Sequence, residues 1–247
     1  MDVIVKHRVL DGIPLYDFEP INPPFQRLVI FQHGYTMNKE DGAWAQCMHF
    51  ATRGFRTIAL DAYGHGERYT KPLQYDDYQR EMVYFYELIE QTALDIKTVY
   101  ESHYKIDYPT YNIAGESMGG MLTFMVGCIM DGLAGIASIV GSPSLIEYGY
   151  QDMLDHDCNE SDIKGMLDHL KDYDAMEHLE RFRRIPIYMI NGLRDHVVPK
   201  KYAESFKQKI EELYDDTLIT YVTVDCDHWV PHKYLIPMYD WASTHFG

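Results

Sequence analysis

The chain has 247 residues, 46% of them hydrophobic and 24% charged, with a formal net charge of −16. That is enough apolar sequence for one domain with a sizeable core, while the acidity excludes a basic face for nucleic acid or anionic membrane. No apolar run approaches the roughly 20 residues of a membrane-spanning helix. No basic start followed by an apolar stretch marks a secretory leader, so a cytoplasmic protein is expected. The cysteines Cys47, Cys128, Cys158 and Cys226 lack C-x-x-C spacing and read as reduced thiols.

In chain order, residues 3–9 and 13–18 flank the turn signal Leu10-Asp11-Gly12 and predict a hairpin. Asn22-Pro23-Pro24 breaks the chain before a core strand at 28–31. A helix over 44–52 stops at Gly54, and the next strand is 57–60. A long amphipathic helix is predicted over 78–104, burying Val83, Leu88, Ile89, Ile96 and Val99. Residues 110–114 read as a strand, 120–126 as a buried helix and 136–140 as another strand. Between 142 and 184 the composition shifts to Asp, Glu, His, Tyr and Met. Met153, Leu154, Ile163, Met166, Leu167, Leu170, Met176 and Leu179 recur there at helical spacing, most as packing and two or three as pocket wall. Strands at 185–190 and 218–224 follow. Strands alternating with helices imply a largely parallel sheet covered on both faces.

The chemistry centres on Gly115-Glu116-Ser117-Met118-Gly119, a G-x-S-x-G string between the 110–114 strand and the helix. Strand, sharp turn and helix is the geometry that lifts a serine oxygen clear of the backbone as a nucleophile. A serine hydroxyl needs a base to take its proton and a third group to hold that base. The loop after the 185–190 strand offers Asp195, and the loop after the last strand offers His228. His196 and His232 are rival bases, and Asp225 and Asp227 are rival acids lying close to His228. Attack on a carbonyl also needs two preset N–H donors. The backbone N–H of Met118, after the nucleophile, and that of Tyr35, after His33-Gly34, are placed for this.

The order Ser117, Asp195, His228 resembles that of the α/β-hydrolases. The resemblance spans nearly the whole chain through His33-Gly34-Tyr35, Asp61-Ala62-Tyr63-Gly64-His65-Gly66, the serine turn and the Asp195 and His228 loops. It implies an α/β-hydrolase fold: a mostly parallel sheet of about eight strands flanked by helices, with 142–184 as a small helical cap within one domain. It further implies a serine esterase akin to small bacterial esterases of the prolyl-oligopeptidase-like and monoacylglycerol-lipase-like group. In that reading Ser117 is nucleophile, His228 general base and acid, and Asp195 the group that orients the imidazole. Glu116 stands where many esterases and lipases carry His, which bears on the substrate subclass.

The expected reaction is hydrolysis of small-molecule esters of short-to-medium acyl chain, without cofactor, nucleic acid or membrane. Peptides, amides and thioesters are alternative substrates for the same triad, and a non-catalytic binding protein is a third class. Twelve histidines include no H-E-x-x-H set, so no metal is expected, and His65 reads as support for a tight turn.

Overall fold

The computed structural model describes residues 1–21, 27–69 and 78–247; the predicted break at Asn22-Pro23-Pro24 lies outside these, as does the side chain of Met166. Strands β1 (Val3–Leu10) and β2 (Ile13–Pro20) form the expected hairpin. It reverses at Asp11 and Gly12, both at positive φ. The other strands are β3 (Leu28–Gln32), β4 (Arg56–Leu60), β5 (Tyr111–Glu116), β6 (Leu133–Ile139), β7 (Pro186–Gly192) and β8 (Leu218–Val224). They join one eight-stranded sheet in the order β1-β2-β4-β3-β5-β6-β7-β8. The two pairings of β2 are antiparallel and all others parallel. The expected mostly parallel sheet of about eight strands is therefore present.

Helices α1 (Trp44–Ala51) and α7 (Ile236–His245) cover one face of the sheet. Helices α2 (Tyr78–Val99), α3 (Met118–Ile129) and α6 (Lys201–Leu213) cover the other. The central strands alternate between these layers: Val29 and Phe31 of β3 pack toward α1 and α7, Leu28 and Ile30 toward α2 and α3. Both faces are apolar, so β3 reads as an unbroken hydrophobic run, as parallel strands covered on both sides do.

Helix α2 differs from its sequence reading in two ways. Its last turn, Tyr100–Tyr104, is wider, with Lys105 N–H donating to the Tyr100 carbonyl five residues back. Val83 is 36% exposed. The buried stripe runs through Met82, Phe85, Tyr86 and Ile89, and Val83 lies one position, about 100°, outside it. Val140, expected inside β6, follows that strand at φ 45°.

Between β6 and β7 the chain is helical: α4 (Leu145–Asp155), α5 (Glu160–Leu167) and short 3₁₀ turns at Asp168–Tyr173 and Leu179–Phe182. Ser144 caps α4, its Oγ accepting the Glu147 N–H at 3.2 Å. The buried Asp174 carboxylate ties the segment together. It accepts N–H bonds from Ile146 and Met176 at 2.8 Å and lies 3.4 Å from Ser144 Oγ.

Candidate active site

The parallel strands end at one edge of the sheet, and the loops leaving those ends meet there. Strand β5 delivers Ser117 at φ 56° and ψ −116° as the residue that starts α3. Such a conformation costs about 1–3 kcal/mol for a residue with a side chain. It is held by Ser117 N–H donating to the Ile139 carbonyl at 2.8 Å and by the helix that follows. The turn is so tight that a Cβ on Gly119 would sit 2.0 Å from the Gln32 carbonyl oxygen. A side chain there would drive β3 away from the serine.

Strand β7 delivers Asp195. Its side chain is fully buried, and its Oδ1 accepts the Val197 and Val198 N–H groups, each at 2.9 Å. Its Oδ2 accepts the Nδ1–H of His228, from the loop after β8, at 2.8 Å. The two loops are fastened by Arg194 N–H to the Cys226 carbonyl at 3.0 Å. They approach so closely that a Cβ on Gly192 would lie 2.2 Å from the Asp227 carbonyl oxygen. With Nδ1 protonated toward the carboxylate, Nε2 of His228 is left as an acceptor, and Ser117 Oγ–H donates to it at 2.8 Å. The three residues singled out from the sequence thus form one hydrogen-bonded line.

The rivals lie elsewhere. Asp225 and Asp227 both bind the exposed Arg194 guanidinium. The His232 ring faces His49, with their Nε2 atoms 2.6 Å apart. His196 is exposed.

Tyr35 follows His33 and Gly34 on the loop after β3, and that loop lies against the serine turn. A Cβ on Gly34 would be 3.4 Å from the Glu116 carbonyl oxygen and 3.5 Å from Ser117 Cβ. The His33 ring is buried, with Nδ1–H donating to the Gly34 carbonyl at 2.8 Å and Nε2 accepting the Ala62 N–H at 3.0 Å. Burial holds this imidazole neutral, its pKa lowered to about 4. Met118 opens α3, so its N–H has no acceptor one turn back within the helix.

Beneath this loop the Lys39 side chain, 2% exposed, binds Asp61 Oδ2 at 2.6 Å and Glu67 Oε1 at 2.5 Å. Asp61 also accepts the backbone N–H groups of Lys39 and Glu67. This cluster, buried at Lys39 and Asp61 and exposed at Glu67, joins the loops after β3 and β4 and left no signal in the sequence. Glu116 is buried beside the serine; burial pushes its carboxyl pKa up, and Gln46 Nε2 donates to it at 3.4 Å.

A cavity of about 150 Å³ opens onto Ser117, Met118 and Tyr35. Helix α2 lines it with Met82 and Phe85, α3 with Met121, and α4 with Tyr148 and Asp152. Of the apolar residues singled out between 142 and 184, those whose side chains are described are absent from this wall. Met153, Ile163, Leu167, Leu170 and Leu179 are buried in the core instead. Tyr148 and Asp152 were missed because polar residues on a short helix carry no periodic signal of facing a cavity. Among the described residues no group of three or more His, Cys, Asp or Glu side chains is arranged to hold a metal ion. Likewise no described helix is long and apolar enough to cross a membrane.

No protein-family model matches the chain. Among curated proteins it is 26% identical to a putative esterase, YitV, of Bacillus subtilis (strain 168), over 98% of both chains. The chain has the α/β-hydrolase fold, and the curated proteins it resembles are esterases by name. The esterase YjfP of Escherichia coli (strain K12) is 25% identical over 87% of this chain and 88% of its own. In architecture the chain is similar to TT1662 from Thermus thermophilus, with a TM-score of 0.81, 20% identity and coverage of 99% and 98% of the two chains.

Proposed function

We propose that the protein cleaves carboxylic esters of short-to-medium acyl chain through Ser117, His228 and Asp195, by way of an acyl-enzyme. The observation that carries this reading is the unbroken line from Ser117 Oγ through His228 to Asp195, at 2.8 Å for each link. In the first step Ser117 Oγ attacks the ester carbonyl as its proton passes to His228 Nε2. The Asp195 carboxylate holds the tautomer and stabilises the imidazolium that forms. The charge gathering on the carbonyl oxygen is met by the N–H groups of Tyr35 and Met118, and α3 directs the positive end of its dipole toward the same point. Collapse expels the alcohol, which takes the proton back from His228. Water then repeats the sequence on the acyl-enzyme and frees the acid and the serine.

The cavity supports the acyl range, because its volume of about 150 Å³, walled by Met82, Phe85, Met118 and Met121, leaves room for only a short acyl chain. The helical segment between β6 and β7 serves as a cap, contributing Tyr148 and Asp152 to that wall. Hydrolysis rates for p-nitrophenyl esters from acetate to palmitate, with a matched amide and thioester, test the reading. Highest kcat/KM among the shorter esters is expected. A maximum at palmitate, or faster cleavage of the amide, would overturn it.

A further inference from the structure

His65, on the loop after β4, takes no part in the line from Ser117 to Asp195. Its buried ring bridges two backbone groups: Nδ1–H donates to the Tyr63 carbonyl, and Nε2 accepts the Thr36 N–H, each at 3.1 Å. Thr36 directly follows Tyr35 and stands at φ 64°, a conformation unfavourable for a β-branched residue. On the other side of Tyr35, the Gly34 carbonyl accepts both His33 Nδ1–H at 2.8 Å and Met37 N–H at 3.2 Å.

The C=O and N–H of one peptide lie in one plane and point opposite ways. Fixing the Gly34 carbonyl therefore sets the direction of the Tyr35 N–H, provided the next peptide cannot swing. That next peptide carries the Thr36 N–H, and His65 holds it. The Tyr35 ring also meets the His65 ring edge-on, with centroids 5.6 Å apart.

We propose that His65 is a positioning residue for the oxyanion: its neutral ring holds the Thr36 N–H and so keeps the Tyr35 N–H aimed at the developing charge. This rests on the reading of Tyr35 as an oxyanion donor. The groups facing the ring are His33, 5.4 Å away between centroids, Tyr35, Tyr63 and Asp61. Asp61 is engaged by Lys39 and by the Glu67 N–H, so it is not a competing acceptor for the imidazole. A proton on Nε2 would turn the acceptor into a second donor facing Thr36. Burial lowers the pKa of this imidazole and keeps the acceptor available.

The test compares His65→Gln, whose amide oxygen reaches the place of Nε2 and accepts the Thr36 N–H, with His65→Asn, whose shorter amide reaches only the place of Nδ1. Each is assayed for kcat and KM on p-nitrophenyl butyrate. Each is also assayed for inhibition by a trifluoromethyl ketone, which forms a tetrahedral oxyanion on serine, and by its methyl ketone counterpart. For His65→Asn a fall in kcat of about 10- to 100-fold is expected, below the 10²–10³ of losing a donor outright. The trifluoromethyl ketone should weaken by a similar factor, with KM and methyl ketone binding held within about twofold. His65→Gln should recover most of both losses. Equal behaviour of the two variants, or a loss confined to KM, would overturn the proposal. Ser117→Ala separates the two levels: turnover retained there would sink the triad reading, whereas turnover lost there with equal His65 variants would sink this inference alone.

Discussion

On one side of the cavity, Ser117, Met118 and Tyr35 stand on turns leaving buried strands, and each turn is held by several backbone hydrogen bonds. On the other side, Tyr148 and Asp152 come from α4, in a segment of short helices with many exposed residues, gathered by one buried carboxylate, Asp174. The first side tolerates strain, at Ser117 and Thr36, because its neighbours leave no other conformation. The second carries no residue at positive φ within α4 or α5, only Asp157 between them at φ 58°, and is tied by Asp174, by Tyr86 to the Leu145 carbonyl, by Tyr173 to Glu90 and by Arg181 to the Gly127 carbonyl. Reacting atoms need fixed geometry, and a pocket wall needs only shape, so the proposed mechanism puts chemistry on the first side and selectivity on the second.

The largest blow to the first side is Ser117→Ala. It should lower kcat by about 10⁴–10⁶-fold and shift the thermal midpoint by no more than a stability change of about 1 kcal/mol. Next is Asp195→Asn, expected to cost about 10⁴-fold in kcat with KM little changed. Asp225→Asn and Asp227→Asn, whose carboxylates bind exposed Arg194, should stay near wild type; kinetics of the three in parallel would shift the acid if either proved the more damaging.

A third expectation concerns acid. His33 is neutral in the fold, with its pKa lowered to about 4 from an ordinary 6.5. Above 6.5 neither the folded nor the unfolded chain binds a proton at this ring. Between 6.5 and 4 only the unfolded chain does, so stability falls as pH falls, by on the order of 3 kcal/mol across the window. The raised carboxyls of Glu116 and Asp174 act in the opposite sense. Urea melts at pH 7 and pH 4.5 for the wild type and His33→Gln isolate the histidine. The variant should lose less stability between the two pH values, and equal losses would exclude this role.

The residues proposed to carry chemistry were legible where chemistry constrains sequence. Gly115-Glu116-Ser117-Met118-Gly119 marks the turn, and Asp195 and His228 follow strands whose apolar runs are plain. Side-chain ties between loops distant in sequence were not legible: nothing in Lys39, Asp61 or Glu67 alone signals that the buried lysine bridges the two carboxylates. The His65 hold on Thr36 was hidden for the same reason, since Gly64-His65-Gly66 looks like a turn and is one. Val83 failed because a helical stripe seen in sequence has soft edges, and a residue about 100° from its centre line can face water.

The second side should respond more gently. Asp174→Ala removes two N–H acceptors and is expected to cost about 2 kcal/mol of stability, while kcat on p-nitrophenyl acetate stays within a few-fold. A loss of acetate turnover as deep as that of Asp195→Asn would erase the contrast between the two sides. Smallest of all, Tyr148→Ala widens the wall opposite the serine. The preferred acyl chain should lengthen by about two carbons, with reactivity of Ser117 toward an organophosphorus probe unchanged. An unaltered chain-length profile would remove Tyr148 from the pocket's selectivity.

The span between Ser117 and His228 is 111 residues, and it has a consequence for biosynthesis. At about 5–20 residues per second, a ribosome completes the serine turn roughly 6–22 s before it adds the histidine. Through that interval the nascent chain carries a hydroxyl with no base to activate it. Under the proposed mechanism the chain thus emerges inert and gains its reactivity only once β8 has closed the edge of the sheet.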